Sequence, residues 1–87
     1  MASVIERAVR LFGFKEQMRM MQEEAAELIA AINRYERGRP GSYEAMIEEM
    51  ADVKIVMAQM ETVYGDDIAA AMEQKLKRLE ERLEVMK

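Results

Sequence analysis

The 87-residue sequence contains no cysteine, no histidine and no tryptophan, with one proline and four glycines. Each absence removes a class of chemistry. Without cysteine there is no disulfide framework, no thiolate nucleophile and no sulfur-ligated zinc or iron–sulfur centre. Without histidine there is neither an imidazole base nor an imidazole metal ligand. The aliphatic hydroxyls are Ser3, Ser42 and Thr62, so a serine–histidine–aspartate apparatus cannot be assembled. Long apolar runs are missing too, and none approaches the roughly 20 residues that span a bilayer. The stretch Met1–Arg10 carries Glu6 among its apolar residues and has no signal-peptide core. These features predict a cytoplasmic protein.

What is present in quantity is acid. Seventeen Asp and Glu against thirteen Lys and Arg give a net charge of −4, which argues against a nucleic-acid backbone binder. Any chemistry must therefore run on carboxylates, cations and a hard metal. A chain this short buries only about 60–65% of its unfolded surface, so a lone core is marginal. With no covalent staple, association is the remaining route to stability, and a homo-oligomer is expected, either dimer or tetramer.

The chain's punctuation is sparse. Gly13 is one break, Gly38-Arg39-Pro40-Gly41-Ser42 is the strongest, and Gly65-Asp66 is a third. The periodicity between them predicts four helices, at about 3–12, 15–37, 43–64 and 67–86. Ser42 is the expected N-cap of the third and Asp66 of the fourth, with Gly38 and Gly65 in C-cap positions. The expected class is an all-α, four-helix antiparallel bundle in one domain, 1–87, completed by oligomerisation.

On the third helix Met46, Met50, Val53, Met57, Met60 and Tyr64 form one apolar stripe. Glu49 and Asp52 project into a second one, among Ala45, Val56 and Val63. The second helix repeats the pattern. Its main stripe is Met18, Met21, Ala25, Leu28, Ile29, Ile32 and Tyr35, with Glu24 and Glu27 beside it on a flank shared with Met20 and Ala31. Each pair is spaced i, i+3, so its carboxylates point the same way. A lone Glu-x-x-Glu is ordinarily a solvated face. Here the acids interrupt semi-apolar faces while Glu44, Glu48 and Glu61 take the more exposed flanks. Antiparallel packing would set the two pairs face to face. Such a cluster must be protonated or hold a cation, and an all-oxygen donor set selects Mg²⁺ or Mn²⁺.

Glu23-Glu24-Ala25-Ala26-Glu27 followed by Glu49-Met50-Ala51-Asp52 is similar to the EExxE…ExxD signature of MazG-like, all-α nucleoside triphosphate pyrophosphohydrolases. Phe12-Gly13 with Gln17 resembles that family's lead-in. Ile32-Asn33-Arg34-Tyr35 with Arg37-Gly38, Ala51-Asp52-Val53, Tyr64-Gly65 and the tail Lys75–Leu83 resemble its short phage and bacterial branch. Phosphoribosyl-ATP pyrophosphatase is a related alternative, but it usually carries a Tyr-His after its Asp-Leu-Leu run. Here Val53-Lys54-Ile55-Val56-Met57 follows Asp52 and there is no histidine. Dimeric dUTPases and dCTP pyrophosphatases are further branches.

The resemblance implies hydrolysis of the α–β phosphoanhydride of a nucleoside triphosphate, giving the monophosphate and pyrophosphate, with a nucleotide-pool sanitising role. By position, Glu24, Glu27, Glu49 and Asp52 would ligate Mg²⁺. One of those carboxylates, or the adjacent Glu23 or Glu48, would take the proton of the attacking water. Lys75, Arg78 and Arg82 lie on one flank of the Ile68, Met72, Leu76, Leu79, Leu83 stripe, with Glu73, Glu80 and Glu84 on the other. Lys75 and Arg78 are candidates to meet the triphosphate, or else form a solvated or inter-subunit salt-bridge face. Lys54 reads as surface or interface. For the base and sugar, the candidates are Phe14 beside Gly13, Gln17 and Asn33; Phe12 and Tyr43 are further aromatics, while Tyr35 and Tyr64 read as packing residues, and the ten Met as core filler. A reading from a different class is a non-catalytic helical interaction module built on the heptad-like Leu76, Leu79, Leu83, Met86 run.

Overall fold

The computed structural model describes residues 3–86 and contains three helices in a single chain. Helix α1 spans Val4–Phe12, α2 spans Phe14–Glu36, and α3 spans Ser42–Val85. The all-α class stands, but the expected third and fourth helices are one continuous helix of 44 residues. No helix among the described residues is long and apolar enough to cross a membrane.

The breaks that survive have a physical cause that Gly65 lacks. Gly13, Gly38 and Gly41 adopt φ of 78°, 70° and 73°, a left-handed region that side chains resist. Helix α2 ends in a paired set of backbone bonds around Gly38. The Gly38 N–H donates to the Tyr35 carbonyl at 2.9 Å and the Arg39 N–H to the Arg34 carbonyl at 3.2 Å, satisfying carbonyls that the last turn leaves open. Tyr35 and Tyr43 then meet across the connection with ring centroids 5.9 Å apart. Gly65 does not have a positive φ and sits inside the α3 ladder, so it caps nothing and Asp66 is not an N-cap. One glycine costs a helix interior about 1 kcal/mol. The alanines and long straight side chains that follow it, Ala69 to Lys77, outweigh that. Ser42 also departs from expectation. Gly41 is the N-cap, and Ser42 is the first helical residue, its hydroxyl donating back to the Arg39 carbonyl. At α1 the cap is Ser3, whose Oγ accepts from the Glu6 N–H at 3.1 Å and whose hydroxyl donates to the Glu6 carboxylate at 3.4 Å.

Helices α2 and α3 run antiparallel, joined by Arg37 to Gly41, and α1 packs against both. A straight 44-residue helix would run about 66 Å. The molecule measures 47 × 39 × 23 Å along its principal axes, so α3 bends. Features that lower the cost of a bend cluster between Gln59 and Gly65: the Thr62 hydroxyl donates to the Gln59 carbonyl at 2.7 Å, and Gly65 has no side chain to obstruct it.

The fully buried apolar residues are Ala31, Met46 and Val56. Around them Met21, Ala25, Leu28 and Ile32 of α2, and Ala45, Val53, Met60 and Tyr64 of α3, are half-buried. Both helices are therefore turned from their expected stripes toward their acidic flanks. Met18, Ile29 and Tyr35 of the predicted α2 stripe are exposed, as are Met50 and Met57 of the α3 stripe and Val63 of its second. The rotation arises because α2 and α3 face only one another and α1, so an apolar circumference is covered on one side alone. From Ala69 to Met86 every residue is exposed.

Candidate metal centre

The rotation brings the acids inward. One carboxylate oxygen from each of Glu24, Glu49 and Asp52 lies within 4.8 Å of the others. Glu24 comes from the middle of α2, and Glu49 and Asp52 from the first half of α3, one turn apart. Glu24 and Glu49 are half-buried and Asp52 is exposed. The cluster thus has a dry floor and an open mouth.

Its electrostatics are unrelieved. Oε2 of Glu24 and Oε2 of Glu49 are shielded from solvent and accept no hydrogen bond. Two carboxylates can bridge only when one holds a proton; as anions, both oxygens lack a donor. Partial burial is the main reason the Glu24 and Glu49 carboxyls sit above their ordinary range. The negative charge of Glu27 comes next for both, followed by Asp52. Among the described residues no Lys or Arg pairs with these acids, and the ion pair Arg19–Glu16 lies elsewhere, on the exposed first turns of α2. A hard divalent cation would satisfy the orphan oxygens and reverse the sign of the local field. The donor set fits Mg²⁺ or Mn²⁺, both of which accept a few carboxylates and retain waters.

The expected site residues separate into groups. Glu24, Glu49 and Asp52 converge. Glu27 is exposed, outside the three-oxygen cluster, yet near enough for its charge to act on both Glu24 and Glu49. Glu23 and Glu48 are exposed, each about 100° around its helix from a clustered neighbour. Phe14 packs edge-to-face on Tyr64 with centroids 5.0 Å apart, so its ring fastens the start of α2 to α3. Asn33 is exposed toward the far end of α2. Lys75 and Arg78 are not brought to the acids within one chain. Lys75 lies about 35 Å beyond Asp52 along α3, and even a right-angle bend at Gly65 leaves them about 25 Å apart.

Two amides form a second polar layer. Gln17 is 1% exposed with neither Nε2 nor Oε1 hydrogen-bonded, and Gln59 is 5% exposed with Oε1 unpaired. Gln17 precedes Glu24 by seven residues and Gln59 follows Asp52 by seven. On antiparallel helices both steps move about 10 Å the same way and return to nearly the same face. The two amides therefore share a level, two turns from the acids. Gln59 was not anticipated from sequence, although this sevenfold spacing was there to find it.

Comparison with family models, with curated proteins and with solved structures returned no match.

Proposed function

We propose that this chain is a Mg²⁺-dependent nucleotide pyrophosphohydrolase that converts a (d)NTP to the (d)NMP and pyrophosphate, working in the cytoplasm as a homo-oligomer of MazG-like type. The observation that carries this reading is the trio Glu24, Glu49 and Asp52, with one oxygen of each within 4.8 Å of the others and with Oε2 of Glu24 and of Glu49 buried without a donor. Glu27 would complete the ligand set from the rim. Mg²⁺ held by these carboxylates would neutralise phosphate charge and make a water easier to deprotonate. The chain's own part is to orient the attacking water and to receive its proton on one of Glu23, Glu24, Glu48 or Glu49. The water oxygen bonds to the α-phosphorus as the bridging bond to the β-phosphate breaks, and pyrophosphate leaves. Phosphoryl chemistry of this kind needs positioning and charge rather than a protein nucleophile, which suits a chain without Cys or His. Gln17 and Gln59 carry unpaired amide atoms of the kind that read a base edge.

The test is a panel of canonical and modified dNTPs with Mg²⁺, read by pyrophosphate release. At least one substrate is expected to turn over. Glu49→Gln and Asp52→Asn are each expected to lower that rate 100-fold or more while circular dichroism keeps the helical signal. Full activity in both variants would sink the reading. The uncovered apolar seam on the second half of α3 favours a second reading, a helical interaction module whose acids have no catalytic role. No release from any nucleotide with Mg²⁺ or Mn²⁺ would transfer support to it.

A further inference from the structure

We propose that residues 68–86 of α3 pair in parallel and in register with the same stretch of a second copy of this chain. Met72, Leu76, Leu79, Leu83 and Met86 alternate four and three residues apart, the spacing of a coiled-coil seam. All five are 46–74% exposed in the single chain. Helix α2 cannot cover them, because its 23 residues are matched by the first half of α3. An isolated helix of this length is marginal in water. Here it is already nucleated, being continuous with the half of α3 that packs on α2.

Charge selects both the occupant and its direction. Glu73 and Glu80 border the seam on one side, and Lys75 and Arg82 on the other. In a parallel pair each border faces the opposite border of its neighbour, five residues further on. Lys75 then meets Glu80 of the partner subunit, twice by symmetry. A shallow groove lined by Lys75, Arg78, Leu79 and Arg82 lies on that basic border, where a carboxylate would be received. An antiparallel pair sets like borders together throughout, Lys75 against Arg82 and Glu73 against Glu80. This assignment gives Lys75 a partner that the distant acidic cluster does not offer.

The absence of native cysteine makes the test direct. Leu76→Cys, Leu79→Cys and Leu83→Cys are introduced one at a time into the full chain and oxidised, with Glu81→Cys as the outward control. Parallel, in-register pairing predicts a disulfide-linked dimer for all three seam variants and little for the control. Linking at one seam level alone, as an antiparallel crossing gives, overturns the proposal, as does a monomer by light scattering at tens of micromolar. Glu80→Lys, which leaves the seam intact, is a second discriminator. It is expected to weaken dimerisation about tenfold, and Lys75→Glu in the same chain to restore it. Tighter association of Glu80→Lys alone would mark the antiparallel arrangement, where the new lysine meets Glu73. No outcome depends on catalysis.

Discussion

The two halves of α3 have similar helix-forming residues and opposite surroundings. Residues 42–68 lie against α2 and α1 and contribute Met46, Val56 and Gln59 to the interior. Residues 69–86 touch nothing that hides them, and each is exposed. Yet the backbone ladder is the same across both. Helix formation is settled locally, by propensity and by continuity with a turn already formed. Burial is settled by what lies alongside. The first half shows what a second helix does for an amphipathic face, and the second half shows the same kind of face waiting for one.

The largest effect expected from this contrast comes from placing a charge in each half. Val56→Asp puts a carboxylate where the native side chain is 4% exposed and should cost about 4 kcal/mol or more, enough to unfold a small domain. Leu79→Asp, at a position 46% exposed, should leave the far-ultraviolet helical signal of the chain intact and remove self-association. Equal damage from both would erase the distinction between the halves.

Next in size is the metal response, which belongs to the first half alone. Mg²⁺ at about ten times its dissociation constant should stabilise by about 1.4 kcal/mol, a rise in Tm of about 5–10 °C. Glu49→Gln should abolish the rise, whereas Glu80→Lys should keep it. The pH dependence has a definite sign. Glu24 and Glu49 are raised above 4.5 in the folded state, so the folded chain binds more protons there than the unfolded one. Their contribution to metal-free stability is therefore greatest below that value and falls as pH rises through the raised range. Protons also compete with the cation, so the Mg²⁺-induced rise should shrink as pH is lowered through that raised range. A metal-induced rise that grows on acidification would contradict the carboxylate site.

Smaller effects separate the true breaks from the apparent one. Gly41→Ala forces a side chain into φ near +73° and should cost about 1 kcal/mol. Gly65→Ala meets nothing within 4 Å at an ordinary helical φ and should stabilise α3 by about 0.5–1 kcal/mol. Thermal melts of the two variants should therefore move in opposite directions. Loss of stability in Gly65→Ala would show that the bend in α3 requires glycine.

Much of this was legible in the residues because it depends on short-range rules. The i, i+3 spacing of Glu49 with Asp52 placed that pair on one face, whereas Glu27 stays outside the cluster that Glu24 joins, and the short connection at 37–41 returned α3 along α2. The composition alone excluded nucleophilic cysteine and serine–histidine chemistry. What failed did so for reasons outside local pattern. A glycine before an aspartate reads as a stop, but Gly65 is carried through by the strong helix formers beyond it. The core stripes were assigned by hydrophobicity, whereas the helices turned toward their smaller residues, Ala31 and Ala45, which permit close approach. Gln59 was not legible because a glutamine on a helix is ordinarily at the surface, and its burial is seen only once α2 and α3 are packed. The placement of Lys75 and Arg78 far from the acids follows from the continuity of α3, which a four-helix reading had replaced with a turn.

The connection from Arg37 to Gly41 acts as the phase setting between two rods. Its backbone is held by the Gly38 and Arg39 bonds to α2 and by the Ser42 hydroxyl to the Arg39 carbonyl, which leaves little slack. One residue added after Gly41, if α3 kept its axis, would advance the rod about 1.5 Å and spin it about 100°, swinging Glu49 and Asp52 off the line of sight from Glu24. The spacing of three oxygens at the middle of the molecule is thus gauged by a tether some distance away that contains none of them.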